Sequence, residues 1–335
     1  MQYAGLGEMA RYFTSSRANF DIRTRLDGLA TELSTGLKLD PSRALGGEAP
    51  RVLEVDRRLG LIARQISTAG QIADRLGVMQ ASLENVSTIG ETLLGQLNAL
   101  GQSSGNDWRQ DASRLGQDAI ADVISTLNTR FAGASLFSGV AEDAPGLAPM
   151  QEILDDIGAA IIGVTTADDL IDIVDSWFSD AGGGFENVAY RGDNGPFAER
   201  RIDDLTSVRI EVRGDSEAIR ELLKGAAFAR FADDPSIALS DADRDAVIDR
   251  AGDVLFGASS QLAELRGRLG GTEQRVDDAL ARLVAEQTSF GIMRGNLLLA
   301  DPFETASALE QVQLQLETHY AVTARLSQLS LTRYL

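Results

Sequence analysis

Apolar residues recur at alternating intervals of three and four along most of this chain, which is the spacing of one-sided α-helices. From Val52 to Leu100 the pattern would form a rod about 70 Å long if it is one continuous helix. Because ordinary globular helices are much shorter, such a rod needs packing partners along its length. Near the N-terminus the same spacing involves Ile22, Leu26, Leu29, Leu33 and Leu37.

The C-terminal part repeats the pattern. Ser240 begins a Ser-Asp-Ala-Asp capping box that predicts a helix start. Gly270-Gly271 could break the helix that follows or merely bend it. Asp301-Pro302 predicts another start, with an N-cap carboxylate and proline at the first helical position. The final helix carries a heptad-like seam at Leu309, Val312, Leu316, His319, Thr323 and Leu326.

The middle of the chain has turn residues and the only strand patterns. The predicted fold is predominantly α, a long antiparallel helical bundle or coiled coil formed by the N- and C-terminal arms with a small α+β domain inserted in the middle. In that insertion we expect helices at 151–162, 167–178 and 216–231 and strands at 185–190 and 208–212.

The changes in pattern divide the chain into five predicted segments. The two ends are expected to be assembly segments, the long stripes are expected to be helical arms, and the turn-rich middle is expected to be an inserted domain. The five predicted segments are an N-terminal assembly segment at 1–45, an N-terminal helical arm at 46–139, an inserted α+β domain at 140–239, a C-terminal helical arm at 240–299 and a C-terminal assembly helix at 300–335.

The amino-acid composition excludes several classes of function. The 335 residues carry 31 Lys and Arg against 50 Asp and Glu, a net charge of −19, and such an acidic chain is a poor nucleic-acid binder. The absence of cysteine excludes disulfides, thiolate catalysis and cysteine-ligated zinc. No apolar run approaches the length of a membrane helix. We therefore expect no nucleic-acid and no membrane partner, and the first 20 residues show no pattern of a cleavable secretory signal.

The negative charge is concentrated in the middle. Residues 1–64 carry ten basic and eight acidic side chains, whereas residues 140–250 carry ten basic and 25 acidic ones. The balanced ends can pack against other chains, while the acidic middle suits a solvated surface.

Candidate chemical motifs are weak. Asp241, Asp243 and Asp245 have the start of a calcium-loop spacing but lack its glycine and its glutamate, so acidic residues at a helix start explain them better. Arg191-Gly192-Asp193 is too short to be specific and predicts a turn, and a packed or hydrogen-bonded role is expected for His319, the single histidine. No catalytic, cofactor-binding or metal-binding residue and no cofactor is predicted, and we expect no enzyme activity.

Both ends carry a recognisable signature. The segment Leu29-Ala-Thr-Glu-Leu-Ser-Thr-Gly-Leu-Lys-Leu-Asp-Pro-Ser42 resembles the N-terminal signature of bacterial flagellins and their hook-associated relatives. Leu297-Leu-Leu-Ala-Asp-Pro-Phe-Glu304, followed by Leu309, Leu316, Tyr320, Ala324, Leu326 and the terminal Ser330 to Leu335, resembles their C-terminal helix. Within the family, Pro41-Ser42, Ser135 to Gly139, Val188 to Gly195 and the Ser-Leu…Tyr-Leu ending resemble the proteins of the hook–filament junction.

The resemblance implies a structural subunit that joins hook to filament, secreted by flagellum-specific type III export to the extracellular flagellum. It also implies terminal segments that fold into paired helices on assembly. The implied partners are copies of itself, another hook-associated protein on the hook side, flagellin on the filament side and an export chaperone. Filament flagellin is the alternative, and an enzyme or ligand-binding module in residues 140–239 is the third interpretation.

The assembly interface is expected on the apolar seams of the two ends, because narrow seams on terminal helices need a neighbour to be stable. The predicted interface residues are Ile22, Leu26, Leu29, Leu33, Leu37, Leu309, Val312, Leu316, Tyr320, Leu326 and Leu329.

Overall fold

The structure is a computed structural model that describes residues 4–39, 49–101 and 107–331. It is predominantly helical in these ranges, as the sequence predicts. The helices are α1 (Ala4–Thr35), α2 (Ala49–Gly101), α3 (Trp108–Leu127), α4 (Met150–Ala160), α5 (Ala167–Ser179), α6 (Glu217–Phe231), α7 (Asp241–Leu298) and α8 (Pro302–Leu331). The strands are β1 (Arg130–Phe131), β2 (Ala134–Ser135), β3 (Glu199–Arg201) and β4 (Ser207–Arg209).

The predicted helix starts are confirmed at atomic level. The Ser240 hydroxyl accepts a hydrogen bond from the Asp243 backbone N–H at 3.2 Å, which satisfies one of the free donors at the start of α7. The Asp301 carboxylate accepts the backbone N–H groups of Phe303 at 2.8 Å and Glu304 at 3.1 Å at the start of α8. Helix α7 runs through Gly270-Gly271 without interruption.

The chain divides into two compact units, and the division falls within α2 and α7. The terminal unit comprises Met1–Ala63 and Val284–Leu335, and the central unit comprises Arg64–Leu283. The boundaries of the five predicted segments stay a prediction.

The central unit holds the larger core. Helix α6 is buried on almost every side, and α3 lies close against it, so that the Ser113 hydroxyl donates to the Arg230 carbonyl at 2.6 Å. Helices α2 and α7 are antiparallel here, since Glu84 of α2 pairs with Arg266 of α7, whereas Leu94, later on α2, lies beside Gly252, earlier on α7. The exposed side chains of α4 and α5 include six carboxylates, those of Glu152, Asp155, Asp156, Asp168, Asp169 and Asp172.

The predicted strand at 185–190 is wrong. Phe185–Ala189 forms a short π-helical turn, in which the buried Phe185 ring packs 5.7 Å from Phe178 and 6.3 Å from Trp177, between ring centroids. Gly184 makes this possible, because a Cβ there would lie 1.8 Å from Trp177 Nε1. The predicted strand at 208–212 coincides with β4 only in part. Strand β4 pairs antiparallel with β3, all three residues of which are exposed.

The Pro41-Ser42 part of the first signature lies outside the described residues, as does Arg43 to Gly47, which follows it.

Candidate assembly interface

The two terminal signatures meet each other in the terminal unit. Gly36 ends α1 with a φ of +70°, in the left-handed region that glycine adopts without strain. Its carbonyl accepts the Ala300 N–H at 2.9 Å, and the Lys38 N–H donates to the Leu298 carbonyl at 2.8 Å. These bonds form an antiparallel bridge between Leu37 and Leu299, so the Ser-Thr-Gly-Leu turn is held against the turn between α7 and α8.

Helices α1 and α8 then run antiparallel along each other. The Ser15 hydroxyl lies 3.3 Å from His319 Nε2, and the bridge at Leu37 lies at the opposite end of α1. The hydrogen-bonded role expected for His319 is therefore what the structure shows. The pairing of the two ends of the chain is built into the fold.

The Arg23 guanidinium adds a polar contact to this pair. It donates to the Tyr320 hydroxyl at 2.5 Å from Nη2 and 3.1 Å from Nε, and its carbon lies 5.9 Å from the centre of the ring. These hydrogen bonds, with one from Asn19, lower the pKa of Tyr320 because they stabilise the phenolate.

The predicted interface residues differ in how far they are covered. Val312 is buried at 4% exposure, whereas Leu33, Leu37 and Tyr320 remain more than two-fifths exposed. The side chains of Leu326 and Leu329 lie outside the described part. The half-buried residues are Ile22, Leu26, Leu29, Leu309 and Leu316.

The same two helices carry a second apolar face that sequence analysis did not assign. Phe13 and Phe20 of α1 are 66% and 70% exposed, and Phe303 and Leu314 of α8 are 83% and 64% exposed. The signal for this face was present, because these residues lie at heptad spacing on the sides opposite the seam. Exposed apolar residues that cluster in this way mark an interaction surface.

The long helices support the terminal pair with ion pairs. In the terminal unit, Arg58 of α2 pairs with Glu286 of α7 at 2.8 Å, and Arg294 of α7 pairs with Asp56 of α2 at 2.6 Å. Val52 packs against Leu298 beside them. These contacts fix the register of α2 on α7 immediately before α8 begins.

The acidic motif at the start of α7 is structural. Asp245 binds Arg109 at 2.6 Å and Asp241 lies 3.4 Å from the same guanidinium, while Asp243 belongs to the helix cap. Within residues 4–39, 49–101 and 107–331 there is no group of three or more potential metal ligands. No helix in these ranges is long and apolar enough to cross a membrane.

A cavity of about 250 Å³ lies in the central unit beside β3. Its charged groups already have hydrogen-bond partners: Glu142 accepts from Arg75 and from Arg200, each at 2.7 Å, and Asp193 accepts from the Gly195 backbone N–H. Arg213 donates to Asp215 and to backbone carbonyls. Within the Arg191-Gly192-Asp193 turn, Arg191 pairs with Glu152, so these polar groups hold loops in place.

A helix pair that leaves an apolar face exposed offers a surface on which further chains can pack. The family model of the bacterial flagellin C-terminal helical region matches residues 253–335. The match covers the C-terminal part of the chain, and this region is therefore similar to the C-terminal helical region of bacterial flagellins.

The fold is shared with a solved structure described as a flagellar hook-associated protein from Vibrio parahaemolyticus. The two chains are 12% identical, and the match covers 75% of this chain and 97% of the other with a TM-score of 0.51. At this identity the likeness is one of fold. No curated protein is similar enough in sequence to count as a match.

Proposed function

We propose that this protein is the structural subunit that joins the flagellar hook to the filament, the role of hook-associated protein 3. The observation that carries the proposal is the bridge between the two signature segments, because it builds one helix pair from both ends of the chain. The signature resemblances at Ser135 to Gly139 and Val188 to Gly195 favour the junction over the filament.

The proposed mechanism is assembly through the terminal unit. The half-buried seam between α1 and α8 holds each pair together, and the exposed apolar face of the pair takes further subunits. The acidic central unit faces solvent. The hook-side partner is another hook-associated protein, and the filament-side partner is flagellin. Type III export with the help of a chaperone delivers the chain to the extracellular flagellum.

A substitution in the seam tests this mechanism. Leu316→Asp places a carboxylate in the half-buried seam, where burial of charge without a partner is unfavourable. We expect the variant chain to be exported normally and the cells to lack attached filaments. Gln315→Asp is the matched control, because it adds the same charge at the neighbouring exposed position and should leave filaments attached. Normal filaments on Leu316→Asp cells would contradict the seam assignment.

Filament flagellin is the second candidate, because the family match fits it as well. Electron microscopy of a deletion strain separates the two roles. Bare hooks together with flagellin shed into the medium support the junction role. A strain that makes no other flagellin, and whose filaments are lost with this gene, supports the filament role.

A further inference from the structure

A groove of about 590 Å³ lies in the central unit between the β3–β4 hairpin and α7, and a volume of this order is typical of a ligand site. One wall carries the exposed Arg209 and Glu211 of the hairpin. The other wall carries Arg268, Gly271 and Arg275, which follow each other at intervals of three and four and therefore share one face of α7. The groove is open to solvent on the side of these residues.

The two arginines on the α7 wall have no carboxylate partner. The Arg268 guanidinium takes part in no ion pair or hydrogen bond with residues 4–39, 49–101 and 107–331. Arg275 donates from Nε to the Gly271 carbonyl at 3.3 Å and from Nη2 to the Thr272 hydroxyl at 3.0 Å. Because both acceptors are neutral, the charge of Arg275 stays unbalanced, while the two bonds hold its guanidinium against the preceding turn of α7.

The groove is positive in an acidic molecule. Its two glutamates lie on the hairpin side, where Glu211 is 3.6 Å from Arg209 and Glu199 accepts the Ser207 hydroxyl. Three arginines thus line the groove against two glutamates, whereas the whole chain has a net charge of −19. The groove therefore favours an anion, which most of the surface would repel.

The glycine pair of α7 leaves room beside these arginines. Helix α7 runs through Gly270-Gly271 without interruption, and no atom lies within 4 Å of the position that a Cβ would take at either residue. Packing within the chain therefore does not require glycine here, although glycine is less favourable than alanine in a helix interior. At Gly271 the open space is part of the groove, so a ligand can approach the helix backbone between the two arginines.

The length of the groove indicates the kind of anion. Arg268 and Arg275 are seven residues apart, a rise of about 10 Å along α7. A single phosphate or carboxylate group is much smaller than this distance, whereas three residues of an extended chain span about 10 Å. A short acidic peptide segment can reach both guanidinium groups at once.

We propose that this groove binds an acidic peptide segment of a partner protein, with Arg268 and Arg275 binding its carboxylates and Gly271 admitting its backbone. Hydrogen bonds from a guanidinium to a carboxylate are charge-assisted and are stronger than neutral ones. All the residues of the groove belong to the central unit, whereas the proposed assembly residues belong to the terminal unit.

Isothermal titration calorimetry of the full chain tests the groove. The probe is a tetraglutamate peptide that is acetylated at its N-terminus and amidated at its C-terminus, and the matched tetraglutamine peptide should not bind. We expect Arg268→Glu to weaken binding of the tetraglutamate peptide about tenfold or more. Arg64→Glu is the control, because it makes the same charge change at an exposed position of α2 outside the groove, and it should change the affinity little.

A second pair of variants fills the groove without changing its charge. Gly271→Leu should abolish binding of the tetraglutamate peptide and keep the helix content, since its Cβ position is open and leucine favours a helix. Gly257→Leu is the matched control, because Gly257 is an equally open glycine of α7 outside the groove, and it should bind the peptide as the natural chain does. Circular dichroism checks that both variants are folded.

The other outcomes would overturn the proposal. Equal weakening by Arg268→Glu and Arg64→Glu would mean that only overall charge matters, and full binding by folded Gly271→Leu would mean that the peptide lies elsewhere. If inorganic phosphate or citrate binds as tightly as the peptide and loses affinity in Arg268→Glu, the groove takes a small anion and the peptide assignment is wrong. If the natural chain does not bind the tetraglutamate peptide, the groove is not such a site, and the proposed junction role is unaffected.

Discussion

Two glycines in helices of the central unit differ in how much space surrounds them. Gly116 of α3 faces α6 so closely that a Cβ would lie 2.6 Å from the Ala226 carbonyl oxygen and 2.7 Å from the Arg230 nitrogen. Gly77 of α2 has no atom within 4 Å of the same position. Glycine at 116 is therefore required by packing between backbones, which cannot move aside as a flexible side chain can.

Alanine substitutions should change stability in opposite directions at these two positions. We expect Gly116→Ala to lower the free energy of unfolding by about 1–3 kcal/mol, because it overpacks the α3–α6 contact. Gly77→Ala should raise it by about 0.5–1 kcal/mol, because alanine loses less backbone entropy in a helix. Urea unfolding followed by tryptophan fluorescence measures both, and equal effects would show that the α3–α6 contact is looser than it is in this structure.

The β3–β4 hairpin shows how one carboxylate organises an element. Asp203 accepts the backbone N–H groups of Leu205 and Thr206, and it binds Arg282 of α7 at 3.2 Å. Burial alone would raise the pKa of Asp203, but the hydrogen bonds from these backbone groups and from the Arg282 and Thr206 side chains outweigh it and hold the pKa below its ordinary value. The hairpin is thus fastened to α7 through an ionised aspartate.

Lowering the pH should weaken the contact between the β3–β4 hairpin and α7. The pKa of Asp203 is lower in the folded state than in the unfolded state. Its contribution to the free energy of unfolding is therefore present above the unfolded pKa of about 3.9 and is lost as the pH falls through the folded pKa. We expect Asp203→Asn to be less stable than the natural chain at neutral pH, with the difference shrinking in acid. The control is Asp204→Asn, whose carboxylate is exposed and pairs with Arg201. Unfolding curves at several pH values test this, and a constant difference would contradict it.

At the scale of the whole molecule, the two units differ in how many of their side chains are buried. Of the α1 side chains that the structure describes, none is buried, and in α8 only Thr305 and Val312 are. The central unit by contrast encloses most of the core residues, among them Phe137, Phe185 and Phe228. Because buried apolar area supplies most of the stabilising free energy, the terminal unit should open first.

This difference predicts two unfolding transitions in the isolated chain. Trp108 and Trp177 both belong to the central unit, so their fluorescence should report only the later transition, whereas far-ultraviolet circular dichroism should also detect the earlier loss of helix. Leu316→Asp should shift the first transition to lower temperature and leave the tryptophan transition in place. Coincident transitions by both probes would show that the units unfold together.

The periodicity of apolar residues determined the helices and their starts, because a 3.6-residue repeat and a cap are local properties that need no knowledge of the rest of the chain. The capping residues Ser240 and Asp301 and the two end signatures could therefore be identified from the sequence.

Only the tertiary structure decided that Phe185–Ala189 is a helical turn, since that depends on the Trp177 ring against Gly184. It also decided that the exposed β3 is a strand, because Glu199–Arg201 has no alternation to predict one. The exposure of the second apolar face of α1 and α8 belongs to the same group, since which of two apolar faces stays uncovered depends on which one the partner helix occupies.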